Sequence, residues 1–461
     1  DFDSGLLMAR FLEWLCERII RLTLQLGARF LGSGFAGDAL CHLASLSRTP
    51  ILHEAALGGD SQLVAFLAPR YSHILNDATL LGGGNTLLHC AVTSGSVATV
   101  KCCIETGTEV NKVNERGHTP LMIASSIGND EIVEVLALAN ATLDVCDARG
   151  LTALHFAVCY RDESTALRIV KFLLPQSKAP HNQLLLNSKD FKGMTPLSVA
   201  CMLGRLDMAA FLCDAGGEKL VNSPCKDGRT PLSIAAEAGH DKLIPLLLSK
   251  GADMNTVDCF GQTVLHLSAK RLHLPVVEQL CAYASREDGP QWWEAQDNDG
   301  MTCVHSLCIM VAGDSSSKNA QIDRSNILEI LLKSGASPNS VDYSGATPLH
   351  IIAASKTSTP TDNSPCTTHE RVQRIVAALI EYGADAAAID DAGWTPLHYA
   401  WRQLSSISST KDSTTRCAKE NEVEEVISLL SQSLSAVKLG ALDRNAPRLD
   451  DNSKYLARRG G

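Results

Sequence analysis

The sequence predicts an all-α solenoid of about ten helix-turn-helix units with projecting turns, preceded by an amphipathic N-terminal helix. Three observations carry this. A Thr-Pro-Leu-His phrase or near variant recurs with its threonine at Thr86, Thr119, Thr152, Thr195, Thr230, Thr263, Thr302, Thr347 and Thr395. A glycine stands two residues before each, at Gly84, Gly117, Gly150, Gly193, Gly228, Gly261, Gly300, Gly345 and Gly393. The intervals are 33, 33, 43, 35, 33, 39, 45 and 48 residues, so a 33-residue unit takes insertions without losing its frame. Such a period marks a stacked array, in which each unit buries its apolar face against its neighbours.

The chain divides into an N-terminal segment (1–47), a repeat array (48–432) and a C-terminal cap or tail (433–461). In residues 5–31, Arg10, Glu13, Glu17, Arg21 and Gln25 make one polar stripe. Leu7, Phe11, Leu12, Trp14, Leu15, Ile19, Leu22 and Leu26 make a broad apolar face that must be buried. Capping the first repeat is the expected use, ahead of docking on another chain; membrane contact comes third, because four arginines are balanced by Asp1, Asp3, Glu13 and Glu17. Gly32-Ser33-Gly34-Phe35-Ala36-Gly37 spells a nucleotide fingerprint, but a helix precedes it where a strand is needed, so it reads as a hinge.

The unit from Arg229 to Gly261 is the cleanest. Thr230 caps a helix with Pro231 in its first turn, followed by the small face of Leu232, Ile234, Ala235 and Ala236. Gly239 ends it. Asp241 opens a second helix with Leu243, Ile244, Leu246, Leu247 and Leu248 inward and Pro245 outward, and Gly251 leads into a turn at Asp258 and Gly261. Later units carry insertions near 175–186, 284–291, 312–323, 355–370 and 405–421. The first two lie on the turn side and the last three between paired helices. The segments 355–370 and 405–421 are rich in Ser and Thr and read as surface loops. Glu422 to Leu430 supplies the final repeat helix, and 434–442 a short cap.

These motifs resemble the ankyrin repeat over residues 48–432. The best matches are Thr119-Pro120-Leu121, Thr195-Pro196-Leu197, Thr230-Pro231-Leu232, Thr347-Pro348-Leu349-His350 and Thr395-Pro396-Leu397-His398. Asp147, Asp190, Asp258, Asp297, Asp342 and Asp390 fill the family's aspartate slot three residues before the glycine. Leu81, Asn114 and Cys225 replace it elsewhere, which predicts less regular turns there, and Pro50 takes the threonine slot of the first unit. For the motif histidines His53, His89, His155, His266, His305, His350 and His398, the resemblance implies a structural hydrogen-bonding role between neighbouring turns. Spaced by whole repeats, they cannot share one metal.

Composition narrows the function classes. A net charge of −10 argues against nucleic acid as partner. No 18-residue uncharged apolar run exists to span a membrane. The 16 cysteines include no Cys-x-x-Cys pair and read as small buried hydrophobes of a cytoplasmic or nuclear protein. No Gly-Lys phosphate loop, His-Glu-x-x-His or Gly-x-Ser-x-Gly motif is present, so no catalytic, cofactor-binding or metal residues are assigned and an enzyme is not expected. Gly460-Gly461 looks like a ubiquitin-type tail without the domain that would precede it.

The resemblance implies a concave binding surface of turn tips and first helices that recognises another protein. Its variable positions map to Arg149, Phe191, Lys192, Arg229, Phe260, Tyr343 and Trp394 on the turns. Met202, Lys270, Arg271 and Arg402 stand on the first helices, with Trp292 from an inserted turn next to Trp293. Aromatics and arginine dominate interface energetics. The expected function is a protein-interaction scaffold or adaptor. The alternatives are a regulatory or membrane-associated module of a larger enzyme or channel, or the substrate-recognition subunit of a ubiquitin ligase.

Overall fold

The structure, a computed structural model, describes residues 51–69, 71–72, 75–77, 83–174, 179–284, 292–309, 318–355, 369–407 and 423–433. The expected N-terminal helix over 5–31, the glycine motif at 32–37, Leu81, the cap over 434–442 and the Gly460-Gly461 end lie outside them. The chain divides into two compact units, Asp1–Lys226 and Asp227–Gly461. Among the described residues both are helical without strands, save one isolated bridge between Cys146 and Thr152.

The first unit holds five helix pairs among the described residues: α1 (Ile51–Leu57) with α2 (Ser61–Leu67), α3 (Leu87–Ser94) with α4 (Val97–Glu105), α5 (Pro120–Ile127) with α6 (Asp130–Leu138), α7 (Ala153–Cys159) with α8 (Glu163–Leu173), and, after an extra helix α9 (Ala179–Leu186), α10 (Pro196–Leu203) with α11 (Leu206–Val221). First helices pack on first helices and second on second, making two rows, and α9 packs on α11. The capping threonines explain where the first row starts. Thr86, Thr119, Thr152 and Thr195 have extended backbone while the next residue is helical, and Pro120 and Pro196 sit where no N–H is needed. Gly95, Gly128 and Gly204 end their helices in the left-handed conformation. Five residues after each threonine stands Ala91, Ala124, Ala157 or Ala200, fully buried, so the first helices approach closely.

The second unit also has five pairs among its described residues: α12 (Pro231–Ala238) with α13 (Leu243–Ser249), α14 (Val264–Lys270) with α15 (Leu274–Ala284), α16 (Cys303–Cys308) with α17 (Lys318–Lys333), α18 (Pro348–Ala354) with α19 (His369–Glu381), and α20 (Pro396–Ile407) with a helix over 423–433. In α13 Leu243, Ile244, Leu247 and Leu248 are buried, Leu246 is half-buried and Pro245 is exposed, as its outward placement requires.

The insertions are shorter as loops than the sequence suggests. Residues 179–186 are helical, and so are 318–323, 369–370 and 405–407, which extend α17, α19 and α20. The stretch Lys318-Asn-Ala-Gln-Ile-Asp contains no glycine or proline to stop it joining the following helix. Residues 175–178, 285–291, 312–317, 356–368 and 408–422 lie outside the described residues.

Candidate functional site

Six of the projecting turns are each built on one carboxylate. Asp190 Oδ1 accepts from Lys192 N (2.9 Å) and Met194 N (2.8 Å). Asp147, Asp258, Asp297, Asp342 and Asp390 repeat the pattern, each accepting from the residues two and four ahead. Asn114, expected to loosen its turn, does the same through Oδ1 to Arg116 N (3.0 Å) and His118 N (2.9 Å), because an amide oxygen has the same reach and lone pairs. Successive turns then join edge to edge. Phe191 N donates to Arg149 O (2.9 Å) and Asn298 N to Phe260 O (3.0 Å). Glycine is required where they meet: Gly193 has φ +77° and a Cβ there would lie 2.6 Å from Lys226 N.

Five of the seven motif histidines tie a turn to a capped helix. In the units starting at Thr86, Thr152, Thr263, Thr302 and Thr347, the threonine N–H donates to the histidine Nδ1 at 3.1–3.2 Å. Nδ1 is therefore an acceptor, the threonine hydroxyl donates to it as well, and the ring proton sits on Nε2. Nε2–H donates into the next turn, from His89 to His118 O (2.9 Å), His155 to Met194 O (3.2 Å), His266 to Met301 O (3.0 Å), His305 to Ala346 O (3.1 Å) and His350 to Trp394 O (3.0 Å). Burial holds these rings below the usual imidazole range, partly opposed by those same carbonyl bonds. They are neutral joints, and no His/Cys/Asp/Glu cluster able to hold a metal occurs among the described residues. Burial likewise pushes the Cys90 and Cys103 thiols up to about 12, far from nucleophilic thiolates.

Of the residues singled out in the first unit, Phe191 is 64% exposed and Met202 46%. Lys192 is exposed, and so is Arg149, whose Nε lies 3.5 Å from Asp147 Oδ2. In the second unit Phe260 is 64% and Tyr343 70% exposed. The Tyr343 ring also packs on the turn before it, where a Cβ at Gly300 would lie 2.6 Å from Tyr343 Cδ1. Arg229 and Arg271 share one partner: Arg229 Nη1 pairs with Glu237 Oε2, and Arg271 Nη2 with Glu237 Oε1 at 2.9 Å. Partial burial pushes the Glu237 carboxyl up, and hydrogen bonds from Arg271 and Arg229 outweigh it and hold it below the usual range. Lys270 is exposed beside them.

Two tryptophans depart from the expectation of open turn residues. Trp394 is half-buried against Tyr399 (centroids 5.2 Å apart), with the Arg402 guanidinium 5.5 Å above its ring. Tyr399 donates to Asp390 Oδ2 at 2.6 Å, which fastens the cluster to its own turn. Trp292, in a short 3-10 helix with Trp293 and Glu294, is half-buried like Trp293, and both indole N–H groups point inward without a hydrogen-bond partner. Glu294 explains the packing: its oxygens accept from Ser337 N (2.6 Å) and Ser340 Oγ (2.7 Å), clamping this segment onto the next loop.

Sequence reasoning missed Trp401, 55% exposed on α20, and the exposed apolar residues preceding turn aspartates, Val257, Val341 and Ile389. Their signal was periodic: each stands one residue before the aspartate.

A family's sequence model described as ankyrin repeats (3 copies) matches residues 52–146, 88–183, 128–223, 165–258 and 319–408, more than half of the chain. A probable E3 ubiquitin-protein ligase, XBOS32 of Oryza sativa subsp. japonica, is 30% identical over 36% of this chain and 37% of its own length. NF-kappa-B inhibitor alpha of Gallus gallus is 30% identical over 43% of this chain and 62% of its own length. The chain thus spans less than two thirds of either relative. The human ASB11 ankyrin repeat domain, a crystal structure, is 26% identical, with 52% of this chain and 98% of that one covered at a TM-score of 0.42.

Proposed function

The chain belongs to the ankyrin-repeat family, whose arrays bind proteins, and from that premise we propose that it is a non-enzymatic adaptor. It captures a partner protein on its turn tips and first helices. The observation that carries this is the series of large aromatics held outward on stiff, carboxylate-braced turns, Phe191, Phe260 and Tyr343. A single exposed hydrophobe is ordinary; large aromatics recurring one or two residues after the turn aspartate, in three of the repeats, have the composition of an interface. Trp394 with Arg402 contributes a fourth, more sheltered anchor. Among the described residues no helix is long and apolar enough to cross a membrane, and the proposed location is cytoplasmic or nuclear.

The test is affinity capture from native lysate, read by mass spectrometry, with Phe191, Phe260 and Tyr343 changed together to alanine. The three exposed positions contribute little to the core, so the melting transition should move little while the stoichiometric partner is lost. Capture that survives these changes would remove the aromatic series from the site.

The resemblance to a probable E3 ubiquitin-protein ligase favours one second reading, a substrate-recognition module in such a ligase. Recovery of ubiquitin-transfer components with the captured partner would support it.

A further inference from the structure

We propose that the turn tips of the first unit form a docking strip for an extended acidic peptide with apolar residues between its carboxylates. The proposal rests on reading the array as a protein-binding surface. Four consecutive turns each present a cation. Arg116, Arg149 and Lys192 stand two residues after Asn114, Asp147 and Asp190, and Lys226 stands one after Cys225. All four are exposed, and the same tip positions also hold the exposed carboxylates Glu115, beside Arg116, and Asp227, beside Lys226. The turns are locked in register: Ala148 N donates to Arg116 O (3.3 Å), Phe191 N to Arg149 O (2.9 Å) and Lys226 N to Lys192 O (2.9 Å). The carbonyls of Arg116, Arg149 and Lys192 thus each accept from the next turn, the last of them from Lys226, and the cations run in file.

Packed helices set the step of that file at roughly 8–10 Å. An extended chain advances about 3.3 Å per residue, so one carboxylate about every third residue matches it. Beside the file the first helices expose Ile127, Met202 and Leu203, seven or eight residues after their capping threonines, and Phe191 adds an aromatic at the tips. Apolar side chains between the carboxylates have somewhere to go. In a chain of net charge −10 this concentration of cations is local. The corresponding tip positions of the second unit hold Cys259, Phe260, Asn298, Asp299, Tyr343, Ser344, Asp391 and Ala392, with no cation. A peptide fits better than single-stranded nucleic acid, which needs successive aromatic platforms for its bases, and the strip has one.

The test is fluorescence anisotropy of the full chain with a labelled probe of about twelve residues, glutamate at every third position and leucine and serine between, the spacing set by the extended rise. Binding should weaken with salt. It should fall at least about tenfold on Arg149→Glu with Lys192→Glu, and return with Arg149→Lys and Lys192→Arg, the expected behaviour of charge complementarity at an interface. Melting curves of the variants should match the parent. Absence of probe binding to the parent, binding unchanged by charge reversal, equal binding of a probe with lysine for glutamate, or tighter binding of an oligothymidylate would each overturn the proposal. If the charge-reversed chain still captures from lysate the partner that the aromatic variant loses, the strip is refuted and the adaptor reading stands.

Discussion

A histidine ring that accepts two hydrogen bonds at Nδ1 and donates one from Nε2 has no place for a second proton. Protonating His89, His155, His266, His305 or His350 would set an N–H against the donors of its own capping threonine. Their pKa values are lowered by burial, so the unfolded chain binds protons more readily around the ordinary imidazole value of about 6.5. Their contribution to stability is complete above that value and is lost as pH falls below it towards the folded-state pKa values. Melting at pH about 5.5 should therefore occur at lower temperature than at about 7.5; a flat profile would contradict the neutral tautomer. Nitrogen-detected NMR should show Nε2–H in all five rings. His305→Ala leaves the buried Thr302 cap without its partner and should cost about 1–3 kcal/mol in denaturant unfolding.

The projecting turn is the element most sensitive to a small change. Gly193→Ala forces a side chain into φ +77° and against the backbone of the next turn at Lys226. The expected loss is about 1–3 kcal/mol, read as a lower denaturation midpoint. Asn114→Asp should be nearly neutral, since the same oxygen accepts the same two bonds. Elements of this kind were legible because their signals are local: threonine before proline opens a helix, glycine closes it, and aspartate with glycine makes the turn. The helix at Ala179–Leu186 and the early start of α17 were not read, although Pro180 and Ser317 are start signals, because both lie in insertions outside the 33-residue period. The inward set of Trp292 was equally hidden. It depends on Glu294 reaching Ser337 and Ser340, more than forty residues along the chain.

In the whole molecule most contacts join a unit to its sequence neighbours, so damage should stay near its origin. His89→Ala is expected to raise amide hydrogen exchange in α3 to α6 and leave α14 to α20 protected. Uniform loss of protection would mean a more cooperative chain. The period gave the architecture its order, and the candidate surface was half visible: Phe191, Phe260 and Tyr343 are as open as expected, while Arg229 and Arg271 are tied to Glu237 and Trp394 to Tyr399. The Arg271–Glu237 tie spans 34 positions and so joins neighbouring repeats, whereas Arg229–Glu237 and Trp394–Tyr399 lie within one.

The histidine joint has one more consequence. Its acceptor is a main-chain carbonyl, supplied by His118, Met194, Met301, Ala346 or Trp394. Those five residues have little chemistry in common, and the joint does not distinguish among them. Where the position just before the threonine is not buried, as it is at Met194 and Met301, it can thus exchange one side chain for another by mutation while the link that holds the array is untouched. Recognition and assembly are inherited separately, and a lineage could change what the surface reads one residue at a time without passing through an unfolded ancestor.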